Sequence, residues 1–424
     1  MPDQAIHFFY MAQSRQAAIL FIFITLLIDC IGFGVIIPVL PKLISELTGE
    51  GIAASAKYGG WLLFSFSLFQ FVFSPILGNL SDKYGRRPIL LFSLFGFGLD
   101  YLFLGFAHTL GWLFVGRIIA GITGASFSTA QAYIADVSTP ETKAQNFGMV
   151  GAAFGLGFII GPVLGGILGE YGARVPFFAA AGLSMLNFTY GFFILPESLP
   201  VENRRSFDWR KANPVGSLLW LKQYPLIFGL VTALFFIYMS SHAVQSVWSY
   251  FSIDHLKWSE SEVGYSLGFV GVLVALVQVV LVKQAVRIWG STTSIYIGLS
   301  LLIVGLVTFS FASAGWMMYA GLVPYCLSGL AGPNIQSDIS NHIPPNAQGA
   351  LQGALTSLVS ITAIVGPPLM ANLYATFAKP GAGFFFPGMP FMVGAVFALT
   401  SLVVAWLYLR KEAEVIPEKV DSTI

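Results

Sequence analysis

Charge is the scarcest property of this chain. Asp, Glu, Lys and Arg make up 10% of its 424 residues, where a soluble protein carries about a quarter. The twenty acids and twenty-one bases nearly cancel, so no basic surface for nucleic acid is expected. Cysteine is almost missing. Cys30 and Cys326 lie far apart inside apolar runs, and they offer neither a disulfide framework nor a metal site. There is no P-loop, no His/Cys cluster at metal spacing, and no Ser/His/Asp set at a plausible membrane surface. An enzyme is therefore not expected, nor are catalytic residues, a metal or a cofactor. A cleavable signal is not expected either. Only Arg15 precedes the first apolar run, which continues from Ala17 to Leu40, too long for a signal core.

Long apolar runs take the place of charge. Twelve spans are expected, at 17–40, 58–80, 88–108, 111–134, 146–169, 174–195, 225–250, 262–283, 293–313, 315–337, 349–375 and 386–409. Each is long enough to cross about 30 Å of hydrocarbon. With both termini inside, fifteen Lys and Arg fall on cytoplasmic segments and five outside, which supports that orientation. The most polar long segment, Pro196 to Tyr224, reads as a linker. The expected organisation is an N-terminal six-helix bundle over 1–195, a cytoplasmic linker over 196–224 and a C-terminal bundle over 225–424. A repeat supports the division. At an offset of 205 residues, Gly85 falls on Gly290, Gly116 on Gly321, Gly124 on Gly329, Gln131 on Gln336, and Gly161-Pro162 on Gly366-Pro367.

The run Gly78-Asn-Leu-Ser-Asp82-Lys-Tyr-Gly85-Arg86-Arg87-Pro88 is a polar hinge between two spans. Gly78 and Gly85 allow close approach or positive φ, and Pro88 suits a first helical turn. On topology alone this is a basic cytoplasmic turn. Its eleven residues also resemble the signature loop between helices 2 and 3 of the major facilitator superfamily. There the acid and arginines latch the cytoplasmic gate, so the resemblance implies gating roles for Gly78, Asp82, Gly85, Arg86 and Arg87. Asp136, at the end of span 4, is the expected partner of Arg86.

Ionisable groups inside spans are costly and are functional candidates by default. Asp29 sits near the middle of span 1. Asp100 lies about 12 Å from the outer end of span 3, and Arg117 about 9 Å from that end in span 4. Arg117 could form a structural pair with Asp100 or meet Asp29. The segment Gly116-Arg117-Ile-Ile-Ala-Gly121 resembles the superfamily's proton-coupling motif. A buried carboxylate can titrate under the control of an approaching arginine, so Asp29, at mid-span, is the expected proton carrier, with Arg117 and with Asp100 in support.

Span 5 places Ala153, Gly157, Gly161, Gly165 and Gly169 on one face, a surface for backbone-to-backbone packing. The same stretch, Gly157-x-x-x-Gly161-Pro162-x-x-Gly165-Gly166, resembles the antiporter signature of drug exporters. Leu-Ile-Asp29-Cys-Ile-Gly32, Leu99-Asp100-Tyr101 and Gln348-Gly349-Ala-Leu-Gln352-Gly353 extend the resemblance to the tetracycline/proton antiporters. Those carry a histidine in span 8 and an aspartate in span 9. Here Val274 stands at the histidine position, and span 9 has no acid.

The resemblance implies two pseudo-symmetric six-helix bundles. It also implies a monomeric proton-coupled exporter of amphipathic small molecules or drugs, in the bacterial inner membrane. A symporter or facilitator for a small metabolite is the alternative. Gln70, Gln131, His242, Gln245 and Gln336 are the expected substrate contacts in a cavity between the halves. Taken singly, each also suits a helix-to-helix hydrogen bond.

Overall fold

The computed structural model describes residues 2–124, 126–139, 142–207, 225–343, 348–379, 381 and 383–420. Within the described residues the chain is helical and contains no strand. The first eight helices are α1 (Pro2–Ile36), α2 (Leu40–Thr48), α3 (Ile52–Tyr84), α4 (Arg86–Gly105), α5 (Leu110–Thr123), α6 (Ser126–Val137), α7 (Lys143–Gly169) and α8 (Val175–Ile194). Then come α9 (Pro225–Asp254), α10 (Glu260–Leu276), α11 (Val282–Ser310), α12 (Gly315–Leu327), α13 (Ala331–Asn341), α14 (Gln348–Phe377) and α15 (Met389–Val420). Ten helical runs among the described residues are long and apolar enough to cross a membrane. The longest, Glu260–Ser310, includes a π-helical stretch at Val277–Leu281 and turns at Gly290, where φ is 79°. Dividing that run and adding the broken pair α12–α13 gives twelve passes, the expected number. Of the expected linker, residues 208–224, with Asp208, Arg210 and Lys211, lie outside the described residues.

The breaks correct the span boundaries. The first span ends at Ile36 rather than Leu40, because Pro38 has no N–H to donate and crowds the turn before it; α2 follows as a separate short helix. Spans 4 and 10, read as continuous, are both interrupted. The first gives way at Gly124, and the second tightens into a 3-10 turn at Ser328–Leu330 around Gly329. These two glycines are repeat equivalents. So are Gly85 and Gly290, the hinge glycines, with φ of 106° and 79°. Positive φ is strained for residues bearing a Cβ, so glycine at both hinges is a backbone requirement. Gly78 shows neither feature expected of it: it is helical, with open space beside it.

The described residues gather into two compact units. One holds the chain through Thr48, 65–207 and Ser259–Gly271; the other holds Gly49–Phe64, 225–258 and the chain from Val272 onward. In the first unit a core forms from Phe21, Ile22 and Leu26 of α1, Leu90 of α4, Tyr133 and Ile134 of α6, and Ala153 of α7. In the second, Leu234 of α9, Leu299 of α11, Ile335 of α13, Leu351 of α14 and Ala405 of α15 do the same. Both cores lie toward the hinge end of their helices.

Candidate functional site

Among the described residues, the first unit holds three acidic or basic side chains buried in its helices, Asp29, Asp100 and Arg117. Asp29 occupies the middle of the apolar stretch Ile19–Ile36 and is buried. Neither of its carboxylate oxygens has a hydrogen-bond partner of strict geometry, although the Ser126 hydroxyl lies within reach. Ser126 is the first residue of α6, just past the break at Gly124. Asp100 and Arg117 are also buried, but as a pair. The Arg117 guanidinium donates to both Asp100 oxygens, through Nε at 3.2 Å and through one terminal nitrogen. The guanidinium also stands 6.0 Å from the Phe66 ring centroid on α3. Of the two open pairings, the structure shows Arg117 with Asp100 and leaves Asp29 without it. Gly116 makes room for the pair, since a Cβ there would come within 2.8 Å of Asp100 Oδ1.

The broken span is braced from α3. Gly121 has no side chain, and a Cβ there would lie 2.6 Å from the Phe66 carbonyl oxygen and 2.7 Å from Phe69 Cβ. One turn on, Gln70 Nε2 donates to the freed Gly124 carbonyl at 3.2 Å. A backbone carbonyl released inside hydrocarbon needs such a partner, so Gln70 acts as the cap of the break. Gln70 thus makes the helix-to-helix bond that each of the expected polar contacts also suited.

The other expected substrate contacts fall in both units, Gln131 in the first and His242, Gln245 and Gln336 in the second. Gln131 is exposed on α6 and Gln245 is exposed on α9. Gln336, exposed on α13, donates to the Tyr238 hydroxyl at 2.9 Å. His242 is buried with Nδ1 unpartnered and presses on Gly366 of α14. A cavity of about 370 Å³ is lined by Pro368, Asn372, Thr376 and three neighbours. All six come from α14, so it is a groove on one helix rather than an enclosed chamber.

The glycine face of α7 meets two elements within the first unit. Gly157, Gly161 and Gly165 face α1: a Cβ at Gly161 would lie 2.7 Å from the Ile31 carbonyl oxygen, and one at Gly165 would overlap the Val35 carbonyl. Pro162 fits against Gly34, where a Cβ would meet the proline ring at 2.7 Å. Gly166 and Gly169 face the start of α10, where a Cβ at Gly166 would lie 2.5 Å from the Glu260 carbonyl oxygen. Glu260 pairs with Lys42 of α2 at 2.8 Å.

At the hinge, Arg86 Nη1 donates to Asp82 Oδ1 at 2.5 Å and to Ser81 Oγ at 2.7 Å, while Nε donates to Asp136 Oδ2 at 3.1 Å. Arg87 donates to the Phe192 carbonyl at 2.5 Å. The sequence reading missed Glu197, which it counted only as a linker acid. Its carboxylate accepts from the backbone N–H of Arg86 at 2.8 Å and of Arg87 at 3.2 Å. It thus satisfies free donors and the dipole at the start of α4. Gly85 permits that approach, since a Cβ there would collide with the Glu197 carboxylate. An acid just past the end of span 6 was the available signal. In the second unit Ser291, the repeat equivalent of Arg86, donates to Asp338 at 3.1 Å.

Comparison with known proteins gives this geometry a context. The chain is 37% identical to the tetracycline resistance protein, class C, of Escherichia coli, over 91% of its own length and 95% of that protein. It is 36% identical to the class H protein of Pasteurella multocida, over 96% and 100%. A solved structure of a bacterial homolog to the human lysosomal transporter Spinster covers 94% of this chain and 97% of that one, with a TM-score of 0.77 and 15% identity; it shares the fold. Residues 22–367 match the Major Facilitator Superfamily. Matched over most of its length, with twelve passes and a hinge repeated at a fixed offset, the chain belongs to that superfamily.

Proposed function

We propose that the protein is a proton-coupled exporter of amphipathic small molecules, working by alternating access in the inner membrane. The observation that carries this reading is the contrast between two buried acids. Asp100 has its counter-ion, and its charge is balanced in place. Asp29 has none, so the site can gain and lose a proton without breaking an ion pair. The glycine seam beside it, from Gly157 to Gly165 on α7, lets α1 and α7 pack as one body. Arg117 and Asp100 serve this site as a fixed charge pair. The names of the relatives point to drug export, with tetracycline-like compounds as the first substrates to try. His242, Gln131, Gln245 and Gln336 are proposed substrate contacts, and Asp82, Arg86, Arg87 and Asp136 gate the hinge end. That end is proposed to be cytoplasmic, as are both termini, and the protein to act as a monomer.

The test is transport in proteoliposomes under an imposed pH gradient, run against a panel that includes tetracycline. Gradient-driven accumulation is expected in the wild type. In Asp29→Asn it should be lost, while substrate binding and exchange persist. Undiminished accumulation in Asp29→Asn would remove Asp29 from the mechanism, and uptake in place of export would favour a symporter.

A further inference from the structure

We propose that Tyr101 is a positioning residue for the Asp29 proton, with its hydroxyl the donor that receives the carboxylate when the proton leaves. The inference rests on the reading of Asp29 as proton carrier. Both oxygens of Asp29 are buried with no hydrogen bond of strict geometry, and Ser126 is the one hydroxyl within reach, an arrangement that suits the neutral acid better than the anion. Ionisation therefore requires a further donor to come into place.

Tyr101 is built to supply one. It is buried on α4, and its side chain reaches across to α1 at Gly32. A Cβ at Gly32 would lie 2.8 Å from the phenolic oxygen and 3.2 Å from two ring carbons, so the bare glycine admits the ring. Gly32 is three residues beyond Asp29, on the same face of the helix. The charged and titratable groups around the hydroxyl are Asp29 and Cys30 of α1, Asp100 of its own helix and Arg117 of α5. Two further helices pack on α4. Of these, α8 carries no charged residue, and the one acid of α6, Asp136, is at the hinge end. Tyr101 directly follows Asp100, so the ion pair anchors the backbone from which the phenol extends. A side-chain rotation or a short slide of α1 brings the hydroxyl onto the carboxylate. In that step the O–H bond of the Asp29 carboxyl breaks and its proton passes to water. Tyr101 keeps its own proton and donates a hydrogen bond to the new anion. Ser126 contributes a second hydroxyl from α6.

The test needs no substrate. Dicyclohexylcarbodiimide modifies protonated buried carboxyls, so its extent of reaction at Asp29, read by mass spectrometry across a pH series, reports the proton. Tyr101→Phe keeps the ring and removes the donor. It should move the midpoint of labelling upward by about one pH unit, a roughly tenfold tighter hold on the proton. Gly32→Ala keeps the phenol but displaces its hydroxyl, and it should shift the midpoint the same way. It decides the matter alone if Tyr101→Phe does not yield monodisperse protein. A wild-type midpoint in the folded variants, or labelling of Asp29 that does not depend on pH, overturns the proposal. Proton-driven tetracycline accumulation that survives Asp29→Asn overturns the underlying reading instead, and the two failures are told apart by which variant is unaffected.

Discussion

Asp29 and Asp100 are both acids buried in a helix core, and one substitution distinguishes their roles. Asp100→Asn strands the Arg117 guanidinium, which is only 7% exposed, and loss of one partner of a buried pair costs about 3–5 kcal/mol. The expected result is a clear fall in unfolding temperature in detergent. The neutral double variant Asp100→Asn/Arg117→Gln should recover much of it. Asp29→Asn breaks no ion pair and should leave the unfolding temperature near that of wild type. The Glu197 cap is a milder case. Glu197→Gln keeps the shape but weakens the charge opposite the α4 N-terminus, at a cost of about 0.5–1 kcal/mol. A drop in stability as large as that of Asp100→Asn would mean that Glu197 does more than cap.

At the scale of the element, the two hinge glycines make a matched pair. Both have positive φ, with ψ of 162° and 168°, a region open essentially to glycine alone, so alanine at either carries comparable backbone strain, about 1–3 kcal/mol. Only Gly85 also has a neighbour in the way: Glu197 occupies the space a methyl would take, while nothing lies near Gly290. Gly85→Ala should therefore destabilise the protein more than Gly290→Ala, as thermal unfolding of the two variants side by side would show. Equal losses would mean that the Glu197 contact is readily given up. The repeat made these hinges legible in the sequence, because the offset aligned two glycines. It did not reveal the breaks at Gly124 and Gly329, although the same offset aligned them. Glycine inside an apolar run reads equally well as close packing, and only the partners of the freed carbonyl separate the two. For the same reason the sequence did not show that the Gln70 amide partners the Gly124 carbonyl.

For the whole molecule, the count of crossings and the two-fold repetition were legible because hydrocarbon permits so few alternatives to the helix. The pairing of Arg117 was not, since helical rise places Asp29 and Asp100 at comparable depth and only packing chooses between them. The proposed orientation rests on the Lys and Arg distribution and is open to direct measurement. Cys30 and Cys326 are both buried, so an introduced thiol is labelled over a low background. Lys83→Cys should react with an impermeant maleimide from the cytoplasmic face only, and Lys257→Cys from the outer face only. Labelling of both from one face would overturn the topology.

The seam between α1 and α7 has an evolutionary consequence. Gly161 and Gly165 meet the backbone of α1, Gly157 meets Cys30 and Gly34 meets the Pro162 ring, and a glycine has no side chain to trim. Every point mutation of these glycines adds atoms. Selection for a new cargo can therefore remodel the polar positions on α9 and α13 in either direction, larger or smaller, but along the seam it meets a one-sided boundary. A deep mutational scan should show those four positions intolerant to every substitution, alanine included, whichever compound is used for selection.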